Sequence, residues 1–351
     1  MLNLRLARGP LDRVANEAIL LEYNRLTKAR IPIEEFEHWV QRSPAGPAWH
    51  ALLETDEGRI VGHTCLFPFR VGYSDEKLVP AKSEFSIVHE DFRKIKIRGF
   101  ENVNRPTFII ILDQLFKHCT ALGWGPIFAS TNEKNQVFTR RVGLRPLQFP
   151  LWECLLTLRP RRAAAELPNI NARQRAAVFA AGVGQSVGWS IANLALPAAK
   201  NIRTVPLGAE PISPKGTQLS FFEDRCSLKW RYLDGQYVRF AFDSKPSDYV
   251  IVKCGSDDRY ARVCQWRLET AKMARDLIPE LVRLALQEKA LGVRWAIYDT
   301  DPISSQLLAS MKKAGFICAS RTRIMMVHES MPNFNSPAVW NMNDSFFSFD
   351  P

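Results

Sequence analysis

Short-spaced cysteine pairs are missing from the sequence. The seven cysteines are odd in number and dispersed, and none forms a C-x-x-C pair, so neither a disulfide framework nor a cysteine-rich zinc site is supported. The six histidines form no H-E-x-x-H motif, and we therefore expect no metal. Dispersed free cysteines favour a reducing compartment, which predicts a cytoplasmic protein.

Leader patterns and long, strongly apolar runs are also missing. Arg5 and Arg8 interrupt the apolar residues near the start, so no signal peptide is expected. Residues 176–199 carry no charge but include three glycines and several polar residues, which favours a buried or interfacial linker helix over a membrane span. Basic residues flank this segment on both sides, so peripheral contact with an anionic membrane remains an open alternative.

Positive charge exceeds negative charge, but it is not concentrated. The net charge is +11, from 47 Lys+Arg and 36 Asp+Glu. A sequence-reading nucleic-acid binder usually gathers its excess on one element, so nucleic acid is not favoured as a partner. The densest basic cluster is short and comprises Arg93, Lys94, Lys96 and Arg98. It is either a solvated loop or a seat for phosphates.

A chain of 351 residues is long enough for two domains of about 150 residues each. In the first half, apolar periodicity and turn residues predict an ordered series of elements. These are a strand at 2–6, helices after Asp12 and at 33–42, strands at 48–55, 59–71 and 79–89, a helix at 107–123, a strand at 125–130, a helix at 132–141, and a strand at 146–158.

The second half repeats this order. The predicted elements are a helix at 223–233, strands at 237–242, 249–254 and 260–268, a helix at 270–291, a strand at 293–298, a helix at 302–314, and a strand at 316–327. Such a recurrence indicates a structural duplication. The predicted units are a first domain at 1–160, a linker at 161–215, a second domain at 216–330, and a C-terminal tail at 331–351.

Several short motifs occur in a specific order. Val88–Arg93 reads V-H-E-D-F-R at a predicted strand end, Leu122–Trp124 reads L-G-W after a helix, and Val142–Leu144 reads V-G-L. Together they resemble the GNAT acyltransferase superfamily, in particular its tandem members with one degenerate half. The resemblance implies an α/β (α+β) fold class with two tandem GNAT-like domains, each a mixed, mostly antiparallel sheet flanked by helices.

The resemblance also implies a site for acetyl-CoA or another acyl-CoA, in a cleft between the fourth and fifth strands. Carried over by position, Ser86, Ile87 and Val88 would meet the thioester. Asn132 would lie by the pantetheine or the acyl end. The pyrophosphate would meet Arg93, Lys94, Lys96, Arg98 and Gly99. This segment departs from the family's glycine-rich loop, but its basic side chains could compensate by ion pairing.

Glu84 is the best-placed candidate for the proton acceptor that an attacking amine requires. The equally weighted alternative is a structural carboxylate paired with Lys82 or Arg70. His89 and His63 are further candidates. Where many GNAT relatives place a tyrosine acid, this chain has Phe138 and Thr139.

The second half has no counterpart of the basic loop, because Glu269 leads directly into a predicted helix. We read that half as non-binding for coenzyme A. Its aromatic residues Trp230, Tyr232 and Trp266, with Arg267, either line an acceptor cleft or belong to the core.

The predicted function is N-acyl transfer to an unknown amine, either a small molecule or a cell-envelope polymer. One alternative is a Fem-type aminoacyl transferase. The other is a non-catalytic protein that binds a partner or a membrane through residues 176–199. The sequence does not indicate an oligomeric state.

Overall fold

Two seven-stranded sheets organise the described part of the chain, in a computed structural model. The structure describes residues 1–28, 30–72, 78–131, 133–147, 151–166, 171–193, 201–207, 220–221, 225–232, 237–254, 259–299, 302–321, 324–334, 336 and 340.

The elements in these ranges follow the order that the sequence pattern predicts, with short strands added. The strands are β1 (Asn3–Arg8), β2 (Trp49–Glu54), β3 (Ile60–Pro68), β4 (Val71–Gly72), β5 (Ala81–Val88), β6 (Ile127–Thr131), β7 (Leu144–Pro146), β8 (Leu151–Thr157), β9 (Ile202–Val205), β10 (Ser220–Phe221), β11 (Tyr237–Phe242), β12 (Lys245–Lys253), β13 (Ala261–Arg267), β14 (Gly292–Tyr298), β15 (Ile317–Arg321) and β16 (Ile324–His328). The helices are α1 (Arg13–Thr27), α2 (Ile33–Gln41), α3 (Thr107–Ala121), α4 (Glu133–Arg140), α5 (Pro160–Glu166), α6 (Ala172–Asn193), α7 (Arg225–Arg231), α8 (Ala271–Gln287) and α9 (Pro302–Lys313).

Local signals in the sequence account for several element ends. The Asp12 side chain accepts a hydrogen bond from the Ala15 amide at 2.8 Å and caps α1, as its residue type predicts. Prolines stand directly before α2 and α3, where a missing amide costs nothing. Gly58 has φ +81° in the turn between β2 and β3, which pair as an antiparallel hairpin.

Each sheet is mixed and mostly antiparallel. The first has the order β1-β2-β3-β5-β6-β16-β7, and the second has the order β15-β8-β14-β13-β12-β11-β9. Among the described pairs, β5 with β6 and β13 with β14 are parallel. This arrangement confirms the predicted fold class of two similar sheets flanked by helices.

The two sheets exchange a strand. β8 follows the first sheet in sequence, yet it pairs with β14 and β15 of the second sheet. In return, β16 inserts between β6 and β7 of the first sheet. One prediction was therefore wrong: residues 316–327 are not one strand. The strand predicted within residues 146–158 is present as β8, but it belongs to the second sheet. Apolar alternation marks a strand but does not identify its partner. The domain limits at 160, 215 and 330 stay predictions.

Helices cover both faces of each sheet. In the first, α1 and α2 pack on one face and α3 on the other. In the second, α8 and α9 cover one face, and α7 lies against the other. Phe334 and Trp340, from the predicted tail, are buried in the first unit's core.

Helix α6 contains most of the uncharged segment. Gln185 is buried and bonds to the Thr157 amide and the Leu155 carbonyl of β8 at 3.0 and 2.9 Å. Trp189 donates to the Ala314 carbonyl at 3.0 Å. Phe179, Val183 and Val187 are exposed. Across the described residues, no helix combines the length and apolar character needed to cross a membrane, and membrane contact stays a prediction.

Candidate functional site

The first sheet opens between its two parallel strands. Ala81 pairs with Ile127 and Lys82 with Phe128, and these are the registered pairs of β5 with β6. From Ser83 onward, β5 diverges from β6. The backbone of its second half therefore faces a gap instead of a strand. This is the opening that the GNAT resemblance implies.

A bulge in β5 lies beside this opening. His63 of β3 pairs with Ile87 and Cys65 pairs with Glu84, so Thr64 alone faces both Phe85 and Ser86. Phe85 has φ +51°, a left-handed conformation that costs a non-glycine residue about 1–2 kcal/mol. Its ring is buried against Tyr23 and Phe36, with centroids 5.2 and 4.8 Å away. This packing compensates for the backbone strain.

The opening forms a cleft of about 670 Å³. Residues of α1, α3, α4, β5, β6 and β7 contribute to its walls. Its described lining residues are Tyr23, Leu26, Thr27, Ser83, Glu84, Phe85, Ser86, Ile87, Val88, Arg93, Pro106, Phe108, Leu112, Ala129, Ser130, Thr131, Phe138, Thr139 and Leu144. Within this set, Glu84 supplies the carboxylate and Arg93 the positive charge. The cleft is thus largely apolar, with one charge of each sign.

The three residues predicted to meet the thioester lie at the cleft, and their contact with a thioester stays a prediction. Ser86, Ile87 and Val88 all line the cleft. The Ser86 hydroxyl is 2.7 Å from the hydroxyl of buried Thr64. Phe138 and Thr139 line the same cleft, where the resemblance places a tyrosine.

Glu84 also lies in the cleft, and it is ion-paired. Its carboxylate is 2.7 Å from the ammonium of Lys82, whose side chain is fully buried. A buried ammonium needs a counter-charge, because desolvation without one costs several kcal/mol. The structural pairing and the cleft position of Glu84 are therefore both present. Its catalytic role stays a prediction.

The two histidine candidates lie elsewhere. His89 borders a separate cavity of about 510 Å³, and its ring is 3.9 Å from Glu22 and 3.6 Å from Asp91. His63 is fully buried within β3, and burial lowers its pKa to about 4. The structure does not bring either ring into the cleft with Glu84.

The basic segment divides into two parts. Arg93 lines the cleft and donates to the Val88 carbonyl at 3.1 Å. Arg98 instead pairs with Asp56 at 3.1 Å. Lys94 and Lys96 are exposed on the surface. Side-chain charge is therefore available next to the cleft at Arg93.

The segment's backbone amides are largely used within the protein. The amides of Arg93, Ile95 and Arg98 donate to carbonyl oxygens. Gly99 has φ +82°, and its amide donates to the Glu101 carboxylate at 2.9 Å. Backbone hydrogen bonds lower the pKa of Glu101. Asn132 lies outside the described residues.

A threonine connects the basic segment to α3. The Thr107 hydroxyl lies 2.9 Å from the Arg93 carbonyl oxygen and 3.2 Å from that of Ile95. Thr107 is buried. Thr107 was not predicted as a site residue, and neither were Tyr23 and Ser130, which line the cleft. Position is the one signal that could have indicated them. Thr107 follows a proline at the start of α3, and Tyr23 and Ser130 lie on elements next to the opening.

The second sheet opens at the equivalent place, between β13 and β14, after three registered pairs. Here the strand leads into α8 through a threonine cap, with the Thr270 hydroxyl accepting from the Met273 amide at 3.3 Å. Trp230, Tyr232 and Trp266 are all buried in cores. Of the two interpretations given for these aromatic residues, an acceptor cleft or the core, their burial agrees with the core.

One group of described residues could in principle hold a metal ion. Ligand atoms of His50, His63 and Cys65 all lie within 4.8 Å of one another, and the three side chains are buried. The absence of a metal stays a prediction.

Structural comparison agrees with the two-sheet fold. A tandem GNAT protein from the clavulanic acid biosynthesis pathway superposes with a TM-score of 0.54, 14% identity, and coverage of 92% of this chain and 98% of that chain. The chain has a tandem GNAT fold. A GCN5-related N-acetyltransferase from Anabaena variabilis gives 0.51 at 10% identity, covering 92% and 72%.

The tandem GNAT fold is shared with a myristoyltransferase. N-myristoyltransferase of Saccharomyces cerevisiae with bound myristoyl-CoA gives a TM-score of 0.52 at 10% identity, covering 93% of this chain and 82% of that chain. No family model matches the sequence. No curated protein matches it either. The GNAT-fold neighbours are acyltransferases.

Proposed function

We propose that this protein is an N-acyltransferase that takes its acyl group from acetyl-CoA or another acyl-CoA. The supporting observation is the cleft at the β5–β6 opening, directly beside the bulge at Phe85. A split between parallel strands leaves backbone polar groups without a strand partner, and such groups can bind a ligand in their place. The acyltransferase neighbours support the same reading.

The residues fit an acyl-CoA in two respects. The cleft of about 670 Å³ is mostly apolar, which suits a pantetheine arm and an acyl chain. Arg93 lies at the cleft, with Lys94 and Lys96 close in sequence, and cations of this kind pair with phosphate. The thioester supplies an activated carbonyl carbon.

Glu84 is the proposed proton acceptor. An amine attacks only in its neutral form, so a proton must leave its nitrogen as the new C–N bond forms and the C–S bond breaks. Glu84 lies in the cleft beside Ser86–Val88, and Lys82 holds its carboxylate at 2.7 Å. The thiolate of coenzyme A leaves and takes up a proton.

Calorimetric titration with acetyl-CoA and with longer acyl-CoAs tests the donor site. We expect salt-sensitive binding by the parent protein, and about tenfold weaker, less salt-sensitive binding by a Lys94→Ala/Lys96→Ala variant. Ser130→Trp should abolish binding, because Ser130 lines the cleft. The matched control is Ser310→Trp on α9, remote in sequence from the cleft lining. No binding of any acyl-CoA by the parent protein would refute the proposal.

A second candidate is a non-catalytic binding protein. It is favoured by the backbone amides of the basic segment, because several of them donate to backbone carbonyls or to the Glu101 carboxylate and so are not available to a pyrophosphate. Its partner would be a protein or an anionic membrane that contacts α6, where Phe179, Val183 and Val187 are exposed. Vesicle flotation of the parent and of a Phe179→Ser/Val183→Ser/Val187→Ser variant tests the membrane contact, and equal flotation would count against it.

The acceptor and the location are also proposals. We propose an amine on a small molecule or a cell-envelope polymer, and a cytoplasmic enzyme. Release of free thiol from acetyl-CoA, measured with amino sugars, amino acids and short peptides, would identify the acceptor class. A Fem-type aminoacyl transfer would instead show salt-sensitive binding of charged tRNA at about 0.15 M salt.

A further inference from the structure

A chain of two buried histidines ends on the bulge of β5. The Nδ1 atom of His63 is 2.9 Å from the Phe85 carbonyl oxygen. The Nε2 atom of His63 is 3.0 Å from Nδ1 of His50 on β2. Both histidines are fully buried. They lie behind the strand whose other edge forms the cleft.

The Phe85 carbonyl oxygen, which accepts the last hydrogen bond of this series, determines which ring nitrogens carry protons. A carbonyl oxygen only accepts, so His63 carries its proton on Nδ1 and donates to Phe85. The Nε2 atom of His63 is then an acceptor, and His50 must donate to it from Nδ1. The Nε2 atom of His50 is buried with no partner among the described residues, which suits an acceptor better than a donor.

Both rings are neutral at physiological pH. Burial lowers the pKa of His63 to about 4 and that of His50 well below its usual value. The neutral state keeps one proton and one lone pair on each ring, which the hydrogen-bond chain requires.

The bulge needs such a partner. Thr64 faces both Phe85 and Ser86, so regular strand pairing is interrupted there and the Phe85 carbonyl accepts from the His63 ring. Phe85 also has the left-handed φ of +51°. A buried carbonyl left without a donor would favour a return to regular strand pairing. That return would shift Ser86, Ile87 and Val88 relative to the cleft by one residue position.

We propose that His63, held by His50, is a positioning residue for the acyl-transfer site. Its Nδ1–H bond fixes the bulge at Phe85 and thereby places the backbone of Ser86–Val88 against the cleft. This inference rests on the proposed function for its catalytic consequence. Its structural part, the tautomer and the bulge, does not.

A metal at the same cluster is the competing interpretation. Two nitrogen ligands about 2.05 Å from a tetrahedral zinc lie about 3.3 Å apart, whereas the two histidine nitrogens are 3.0 Å apart, a hydrogen-bond distance. The Cys65 thiol donates to the Glu84 carbonyl at 3.5 Å, so its proton has a partner within the protein.

The tautomer is measurable without any substrate. Long-range ¹H–¹⁵N NMR on the full chain near pH 7 should show His63 neutral with its proton on Nδ1. It should be unchanged by a chelator or by added Zn²⁺. A proton on Nε2, a charged ring, or a chelator-sensitive spectrum would overturn the proposal.

Two substitutions at His63 separate positioning from simple packing. Asparagine can place a donor near the Nδ1 position, whereas glutamine places it nearer Nε2. We expect His63→Gln to lower kcat by about 10- to 100-fold, the range expected for losing one buried hydrogen bond. Its KM for acyl-CoA should change less than about threefold, and His63→Asn should retain most of the rate.

A readout other than activity keeps the two proposals apart. The backbone amide shifts of Ser86–Val88 should move in His63→Gln and stay near those of the parent in His63→Asn. If the parent protein transfers no acyl group but these shifts behave as expected, the proposed function fails and the positioning of the bulge stands. Equal shifts, or equal rates at equal melting temperature in the two variants, would overturn the inference.

Discussion

The two sheets of this protein open at equivalent parallel strand pairs, but the connections that follow the diverging strands differ in length and charge. In both, a strand pairs with its parallel neighbour at its start and then diverges. In the first, residues 89–106 separate β5 from α3 and include the basic segment. In the second, residues 268–270 separate β13 from α8. The duplicated topology supplies an opening, and the connection after the strand decides what borders it.

Each sheet also has a shift of register next to its opening, and the residues around the two shifts differ. β12 and β13 also shift register, since Ile251 pairs with Gln265 and Val252 with Val263. Among the described non-glycine residues, however, Phe85 is the strand residue with a left-handed φ. None of the described histidines lies in β11–β14. Trp266 and Trp295 instead pack together in the second core, with centroids 6.1 Å apart.

Substitution of Glu84, the carboxylate at the first opening, should have the largest effect on the rate of acyl transfer. Glu84→Gln should lower kcat/KM for acyl transfer by about 10²- to 10⁴-fold, the usual contribution of a general base, with acyl-CoA affinity within about threefold. The matched control is Glu269→Gln at the junction of the second sheet, which should leave the rate unchanged. Steady-state thiol release measures both. An unchanged rate in Glu84→Gln would reduce that residue to the counter-ion of Lys82.

Acid should loosen the first sheet before the second. Burial lowers the pKa of His63 from 6.5 to about 4 and lowers that of His50 as well. Below pH 6.5 the two histidines bind protons in the unfolded chain but not in the folded protein. The free energy of unfolding therefore decreases as the pH is lowered. For His63 the loss is about 2 kcal/mol between pH 6.5 and 5.

Hydrogen exchange at these two pH values, corrected for intrinsic rates, measures this loss. Protection should fall in β2, β3 and β5 and change less in β12–β14. His63→Asn should reduce the difference. Uniform loss of protection across both sheets would contradict the assignment.

The smallest effects concern the two threonines at the helix starts. Thr270→Val removes the cap of α8 and should cost about 1 kcal/mol in the free energy of unfolding. Thr107→Val should cost a similar amount of stability. It should also weaken acyl-CoA binding, because the Thr107 hydroxyl holds the carbonyls of Arg93 and Ile95. Denaturant unfolding and calorimetry distinguish the two, and equal affinity in both variants would remove Thr107 from the site.

Much of the local structure could be predicted from the sequence. Asp12 as a cap, Pro32 and Pro106 before helices, and the glycine turn at Gly58 all act within a few residues of their own position. An ion pair of Glu84 with Lys82 or Arg70 was one of the predicted alternatives, and the pair with Lys82 forms. Membrane contact by α6 and the role of Asn132 stay predictions.

The histidine chain could not be predicted, because it joins three strands. Nothing near His50 or His63 in sequence indicates that Phe85 will need a donor. The bulge itself depends on how β3 and β5 come into register. Tyr23 was missed for the same reason, since its place in the cleft depends on how α1 crosses the sheet.

Most elements, their repeated order and the excess of basic residues after β5 can be read from the amino-acid sequence alone. Periodicity, caps and turns are local properties of the chain. Which strands become neighbours depends on the folded chain as a whole. β8 and β16 have the same apolar alternation as other strands, yet each pairs within the opposite sheet. The backbone hydrogen bonds that join them to their neighbours do not depend on side-chain identity. The cleft, the paired carboxylate and the bulge all follow from that choice of neighbours.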